Sequence, residues 1–150
     1  MQLSEPLMTI AVEVQDLLTV GKSPSGETRL IPFEVGSFEG PELRGILLPG
    51  GTDWQLVRED GALEIEARYM LQTDQGEHIE VRSVGLRVAA PDVLAQLAAG
   101  EDVPSDAYYF RTSIRMRTGA PRLLHLNDRL YIGVGRRERR RVEISVRQVP

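Results

Sequence analysis

No cysteine occurs in the chain. A disulfide framework, a thiolate nucleophile and a cysteine-ligated zinc site are therefore excluded. Histidine is nearly as scarce, with two in the chain, and His78 and His125 stand too far apart for the close spacing of a histidine-based metal motif, so no metal is expected. Aromatic residues are few as well, one Trp, four Tyr and three Phe, which disfavours the stacked platforms of a carbohydrate-binding module. No apolar run approaches the roughly 20 residues that cross a bilayer as a helix. The opening residues Met1-Gln2-Leu3-Ser4-Glu5-Pro6 have neither the basic segment nor the apolar core of a signal peptide. The expected setting is the cytoplasm, without a membrane partner.

Positive charge is not in excess either. A net charge of −4 and an isoelectric point near 5.3 argue against a nucleic-acid partner, because such proteins neutralise phosphates with surplus Lys and Arg. There is no Walker-type phosphate loop and no serine in a Gly-x-Ser-x-Gly turn. Gly133-Val134-Gly135 lacks the third glycine and the following helix of a dinucleotide fingerprint. No cofactor is expected.

What the chain does have is a two-residue rhythm. The 150 residues, 41% hydrophobic and 27% charged, fit one soluble domain spanning 1–150. After the turn at Asp60-Gly61, Leu63, Ile65, Ala67, Tyr69 and Leu71 alternate with Glu64, Glu66, Arg68, Met70 and Gln72, the pattern of a strand buried on one face. The same pattern recurs over Met8–Val14, Thr28–Phe33, Leu43–Leu48, His78–Val84, Tyr108–Arg117, Leu123–Leu126, Leu130–Val134 and Val142–Val146. Gly21–Gly26 reads as a turn, and Pro32 requires an edge or a bend.

One stretch alone has helical spacing. Residues 91–99 carry Pro and Asp in the first turn, apolar Val93, Leu94, Leu97 and Ala98 on one face, and Gly100 at the stop. One short helix cannot cover a parallel sheet, so the expected fold is all-β: a single antiparallel barrel of about eight to ten strands, with the helix packed on one end. Closure removes exposed edges.

Several short motifs follow in order: Phe38-Glu39-Gly40-Pro41 with Leu43-Arg44-Gly45, Gly50-Gly51-Thr52-Asp53-Trp54, Asp60-Gly61, Tyr109-Phe110-Arg111-Thr112, Leu126-Asn127 and Gly133-Val134-Gly135. In these the sequence closely resembles the domain-of-unknown-function family 3237, also known as uncharacterised protein family 0311, over almost its whole length. The resemblance implies a single antiparallel β-barrel and no established general activity. That family commonly has Trp before Leu-Asn, where this chain has His125, which implies a different ligand, or none, if the Trp serves a pocket in relatives.

The candidate ligand-binding set is Asp53, Arg68, Arg111, His125 and Asn127, with Trp54 and Tyr109 as walls. An Asp beside an Arg in a low-dielectric barrel suits oxygen-bearing ligands or an enolisable carbonyl, with Asp53 or His125 as acid or base. Competing readings are that Asp53 caps the Gly-Gly turn and that Arg111 pairs with Glu64 or Glu66 on a solvated face. Parity groups Arg111 with Tyr109, Ser113 and Arg115, and Phe110 with Thr112, Ile114 and Met116. Which set lines the barrel stays open, although the second is the better core. His78 reads as a surface residue. The run Arg136–Arg141 reads as solvated charge at a hairpin tip, with attraction of an oxyanion as the other reading. The functional expectation is a barrel that binds a small polar or aromatic metabolite, in catalytic form a cofactor-free lyase, isomerase or cyclase. The alternative is a non-catalytic oligomerising or protein-interaction module. A homodimer is the expected assembly.

Overall fold

Alternation along 63–71 forms one stave of a closed wall. The computed structural model describes residues 1–150; Leu63, Ile65, Ala67, Tyr69 and Leu71 point inward and the intervening polar residues outward. Ten strands are present: β1 (Pro6–Val14), β2 (Leu18–Ser23), β3 (Gly26–Glu39), β4 (Arg44–Leu47), β5 (Thr52–Val57), β6 (Leu63–Thr73), β7 (His78–Val88), β8 (Tyr109–Arg117), β9 (Tyr131–Glu138) and β10 (Arg141–Gln148). One helix, α1 (Pro91–Ala98), and two 3₁₀ segments, Ser105–Ala107 and Pro121–Asp128, lie between strands. No helix is long and apolar enough to cross a membrane.

All pairings are antiparallel, and the series β1–β10–β9–β8–β7–β6 closes through β3 back to β1. β4 and β5 share one place in the ring. The former bridges residues 37–39 of β3 to 71–73 of β6, and the latter bridges 27–32 to 63–68. Eight positions therefore close the barrel, a size whose interior either fills with side chains or holds one small ligand. β2 stands outside the ring on the first half of β3.

This barrel does both, one at each end. In the half built from the start of β1, the end of β3 and the end of β6, Met8, Phe38, Leu71, Ile79, Met116 and Tyr131 are buried almost completely. Each such side chain contributes about 1.5–3 kcal/mol by leaving water. Leu123 and Leu126 close that base. The other half, from the end of β1 to the end of β7, is hollow and carries α1 beside its mouth.

Four local expectations change. Leu123–Leu126 is not a strand but part of the 3₁₀ segment begun by Pro121, because a three-residue turn puts Leu123 and Leu126 on one face. The expected turn at Gly21–Gly26 shrinks to Pro24-Ser25, since Lys22 and Ser23 pair with Glu27 and Gly26. The short strand at Thr28–Phe33 is the middle of a 14-residue strand, whose register against β1 slips between Val12 and Val14, so the chain bends just after Pro32. The Arg136–Arg141 tip narrows to Arg139-Arg140, the residues before it belonging to β9.

Candidate functional site

In β5, Thr52 starts a strand whose parity turns Asp53, Gln55 and Val57 toward the axis. Asp53 faces Ala67 of β6 on one side and Ile31 of β3 on the other. Gln55 Nε2 donates to Asp53 Oδ2 at 2.7 Å, and Arg29 Nη2 donates to Gln55 Oε1 at 2.8 Å. Asp53 Oδ1 is buried and has no partner. Arg29 Nε, Arg87 Nε and Thr112 Oγ1 are orphaned in the same way. Buried polar atoms are nearly always paired within a folded chain, so an unpaired group in a cavity wall is open to a ligand or water.

The hollow has two compartments. The inner cavity, of about 50 Å³, is walled by aliphatic and aromatic groups such as Ile10, Ile65, Phe110 and Ile144, with Asp53, Gln55, Tyr69, Ser83, Arg87, Thr112 and Arg137 as its polar members. That is room for a few waters or the end of a small molecule. Outside it lies a vestibule of about 660 Å³, bounded by residues 14–17, by residues 97–100 around the end of α1, and by Arg139 and Arg140. Its volume lies in the usual range for small-molecule sites. Arg87 and Arg137 line both compartments and thus stand at the neck between them, and Arg29 lines the vestibule beside them, tied to the inner wall through its hydrogen bond to Gln55.

Charge in this space is perturbed. Burial raises the Asp53 pKa from 3.8 to about 6, against the lowering effects of the Gln55 hydrogen bond and of Arg87, Arg137 and Arg29. Arg87 falls to about 10, first through burial and then through repulsion by Arg137 and Arg29. Arg137 is lowered by burial and by Arg29. Tyr69 is raised, by burial and then by Asp53, and stays a neutral phenol. None of Arg29, Arg87 and Arg137 makes an ion pair. Arg137 is oriented at its backbone N–H, which donates to Tyr108 Oη at 2.9 Å, and at Nε, which donates to the Arg139 carbonyl at 2.7 Å.

Of the residues expected from sequence, Asp53 alone enters this space. Arg111 does not meet it, because Phe110 and Thr112 take the inward positions of β8; the Arg111 guanidinium lies 5.6 Å over the Tyr109 ring and donates to the Phe110 carbonyl. Tyr109 is 54% exposed and Trp54 51%, both on the outer face. Arg68 also points outward and pairs with Glu80 at 2.9 Å. His125 is exposed on the 3₁₀ segment at the base. Asn127 fastens that segment to the turn after β8: its Oδ1 accepts from Thr118 N–H, and its Nδ2 donates to the carbonyls of Thr118 and Leu124.

Gln55, Arg29, Arg87 and Arg137 are the members that sequence reasoning missed. Gln55 was reachable by parity, two residues from Asp53. Arg137 was hidden in the arginine run.

The family model for a protein of unknown function, DUF3237, matches residues 3–149. The chain belongs to the DUF3237 family. A UPF0311 protein of Rhodopseudomonas palustris is 36% identical over 143 residues, covering 95% of this chain and 94% of its own. The crystal structure of that conserved protein of unknown function covers 100% of the DUF3237 chain and 99% of its own, with a TM-score of 0.95 and 34% identity. A β-barrel-like protein of Acinetobacter baumannii is similar at a TM-score of 0.85 and 35% identity, over 99% of this chain and 96% of that one. More distantly, a crystal structure described as an enzyme from Penicillium herquei shares the fold at a TM-score of 0.73 and 19% identity, over 99% and 94% of the two chains. The last likeness bears on the DUF3237 fold alone.

Proposed function

We propose that this DUF3237 barrel binds a small polar or aromatic metabolite in its hollow end, and that Asp53 moves a proton to or from it as a cofactor-free isomerase, lyase or cyclase. The supporting observation is a lone carboxyl in an apolar cavity, raised by burial to about 6, with one oxygen free toward the space. A general base works best with a pKa near the operating pH. Carboxyls shifted this way by burial are characteristic of working sites. Neutral Tyr69 and Ser83 in the same wall supply hydroxyls to a carbonyl oxygen.

The test is a thermal-shift screen of keto acids and aromatic acids, followed by proton NMR in D₂O of the compounds that bind. Wild type is expected to gain stability with some of them and to exchange the proton next to the carbonyl. Asp53→Asn is expected to slow that exchange by about 100-fold or more. If no compound raises the melting temperature, or if the variant exchanges as fast as wild type, the reading fails.

For assembly, the outer face favours a second copy of the chain. Trp54, Val84, Leu86, Val88 and Tyr109 are exposed there on neighbouring strands. Glu64 and Glu66 lie among Arg82 and Arg111 on the same face, so a two-fold contact sets opposite charges together around an apolar centre. Sedimentation equilibrium is expected to give a dimer for wild type and a monomer for Trp54→Ser combined with Val84→Ser. A wild-type monomer at every concentration overturns this.

A further inference from the structure

Arg87 and Arg137 reach the neck from β7 and β9, and Arg29 comes up to its outer side from β3, where it donates to Gln55 of the inner wall. The only carboxylate facing the same space inside the barrel is Asp53. At the rim, Asp16 is taken by Arg140. Three guanidiniums against one carboxylate leave two positive charges in a partly desolvated place. Such charge is costly to bury without a counterion. Guanidinium is the side chain whose planar fork matches carboxylate oxygens, and two of these guanidiniums have an Nε–H that nothing in the chain accepts.

Size sets the direction of entry. Beyond the neck there is about 50 Å³, and before it about 660 Å³. A ligand therefore sends a few atoms past the arginines and leaves its body in the vestibule, against Leu97, Ala98 and Ala99.

We propose that the substrate is a keto carboxylic acid held head-first at the neck, its carboxylate on Arg29, Arg87 and Arg137 and its acidic carbon, within two bonds of that carboxylate, turned to Asp53. This deepens the function proposed above and rests on it for the role of Asp53. The step balances without a co-reactant. The C–H bond breaks and an O–H bond forms on Asp53 Oδ1, while the electron pair moves onto the carbonyl oxygen as an enolate. One negative charge passes from Asp53 to a substrate that already bears one. The two surplus positive charges of the neck stabilise the resulting dianion, and they do so more than the monoanionic ground state.

The experiment compares phenylpyruvate with its methyl ester by isothermal titration calorimetry, on wild type, Arg87→Gln, Arg137→Gln and, as a control on the outer face, Arg115→Gln. The acid is expected to bind wild type about 10- to 100-fold more tightly than the ester, and each neck variant to lose about the same factor for the acid while hardly changing for the ester. Arg115→Gln is expected to match wild type. Equal affinities of acid and ester for wild type overturn the proposal, and this comparison stands even if a neck variant fails to fold. A folded Arg87→Gln and a folded Arg137→Gln that both bind the acid as wild type does also overturn it. The two readings fail separately. An ester that exchanges its proton as well as the acid removes the arginine neck and keeps Asp53, whereas an acid that binds tightly without exchange removes Asp53 as the base and keeps the neck.

Discussion

Asp53→Asn is expected to stabilise the protein by about 3 kcal/mol near neutral pH, an unusual sign for a substitution in a barrel interior. The reason is the carboxyl's displacement from 3.8 to about 6, dominated by burial. Each unit of displacement corresponds to about 1.4 kcal/mol between the two protonation states. Because the folded-state value is the higher one, the folded chain holds this proton across a range where the unfolded chain has already released it. The contribution is fully present below about pH 3.8, declines as pH rises and is lost above about pH 6. Asparagine mimics the protonated form and still accepts the Gln55 N–H through its own oxygen. The readout is the difference between wild type and variant in urea unfolding at several pH values. It is expected to be near zero at about pH 4 and to grow to about 3 kcal/mol at about pH 8. A constant difference across that range, or a destabilised variant at the alkaline end, would show that the neck arginines already compensate the charge. A carboxylate kept where its amide is more stable fits a group retained for chemistry, at the usual cost in stability of a strained or charged site.

The walls of the barrel were legible because one face of each is buried, and burial with a period of two leaves its mark in β1, β6, β8 and β10. The site was poorly legible for the same reason. Alternation assigns apolar residues to the interior, so it does not point to Arg29, Gln55, Arg87 or Arg137. β7 shows this most clearly. Its pattern is plain to Val84, but Gly85 and Arg87 continue on the inner face to Val88, and there the apolar signal stops where the hollow half begins. Arg111 drew attention through the motif around it, although Phe110 and Thr112 on either side are the better inward residues. Within the arginine run the alternation is real but has no apolar partner to expose it: Arg137 turns in, while Arg136 turns out to Glu143 at 2.9 Å. At the base, Leu124 and Leu126 are spaced as in a strand and Leu123 and Leu126 as in a 3₁₀ turn. Pro121 decides between them by fixing the backbone angle with which the segment starts.

Gly85→Ala is expected to prevent folding, or to cost at least about 4 kcal/mol, beyond the usual range for an overpacked core. Gly85 sits on the inner face of β7 opposite Thr112 of β8, and Thr112 in turn faces Gly133 of β9. A Cβ at Gly85 would lie 2.0 Å from the Arg111 carbonyl oxygen and 2.6 Å from the Thr112 Cα. Both are backbone atoms, so no side-chain rotation relieves the contact and β7 must move away from β8. A Cβ at Gly133 would meet the Thr112 hydroxyl at 2.3 Å from the other side. The row Gly85, Thr112, Gly133 is therefore a place where the wall closes in, two residues along β7 from Arg87, with Thr112 and Arg87 both lining the inner cavity. Gly119→Ala is the matching control, since nothing lies within 4 Å of its added carbon. Soluble yield and the urea midpoint decide the matter. A Gly85→Ala protein that unfolds at the wild-type midpoint would mean that the two strands part there without loss, and that the narrow wall does not hold the cavity in shape.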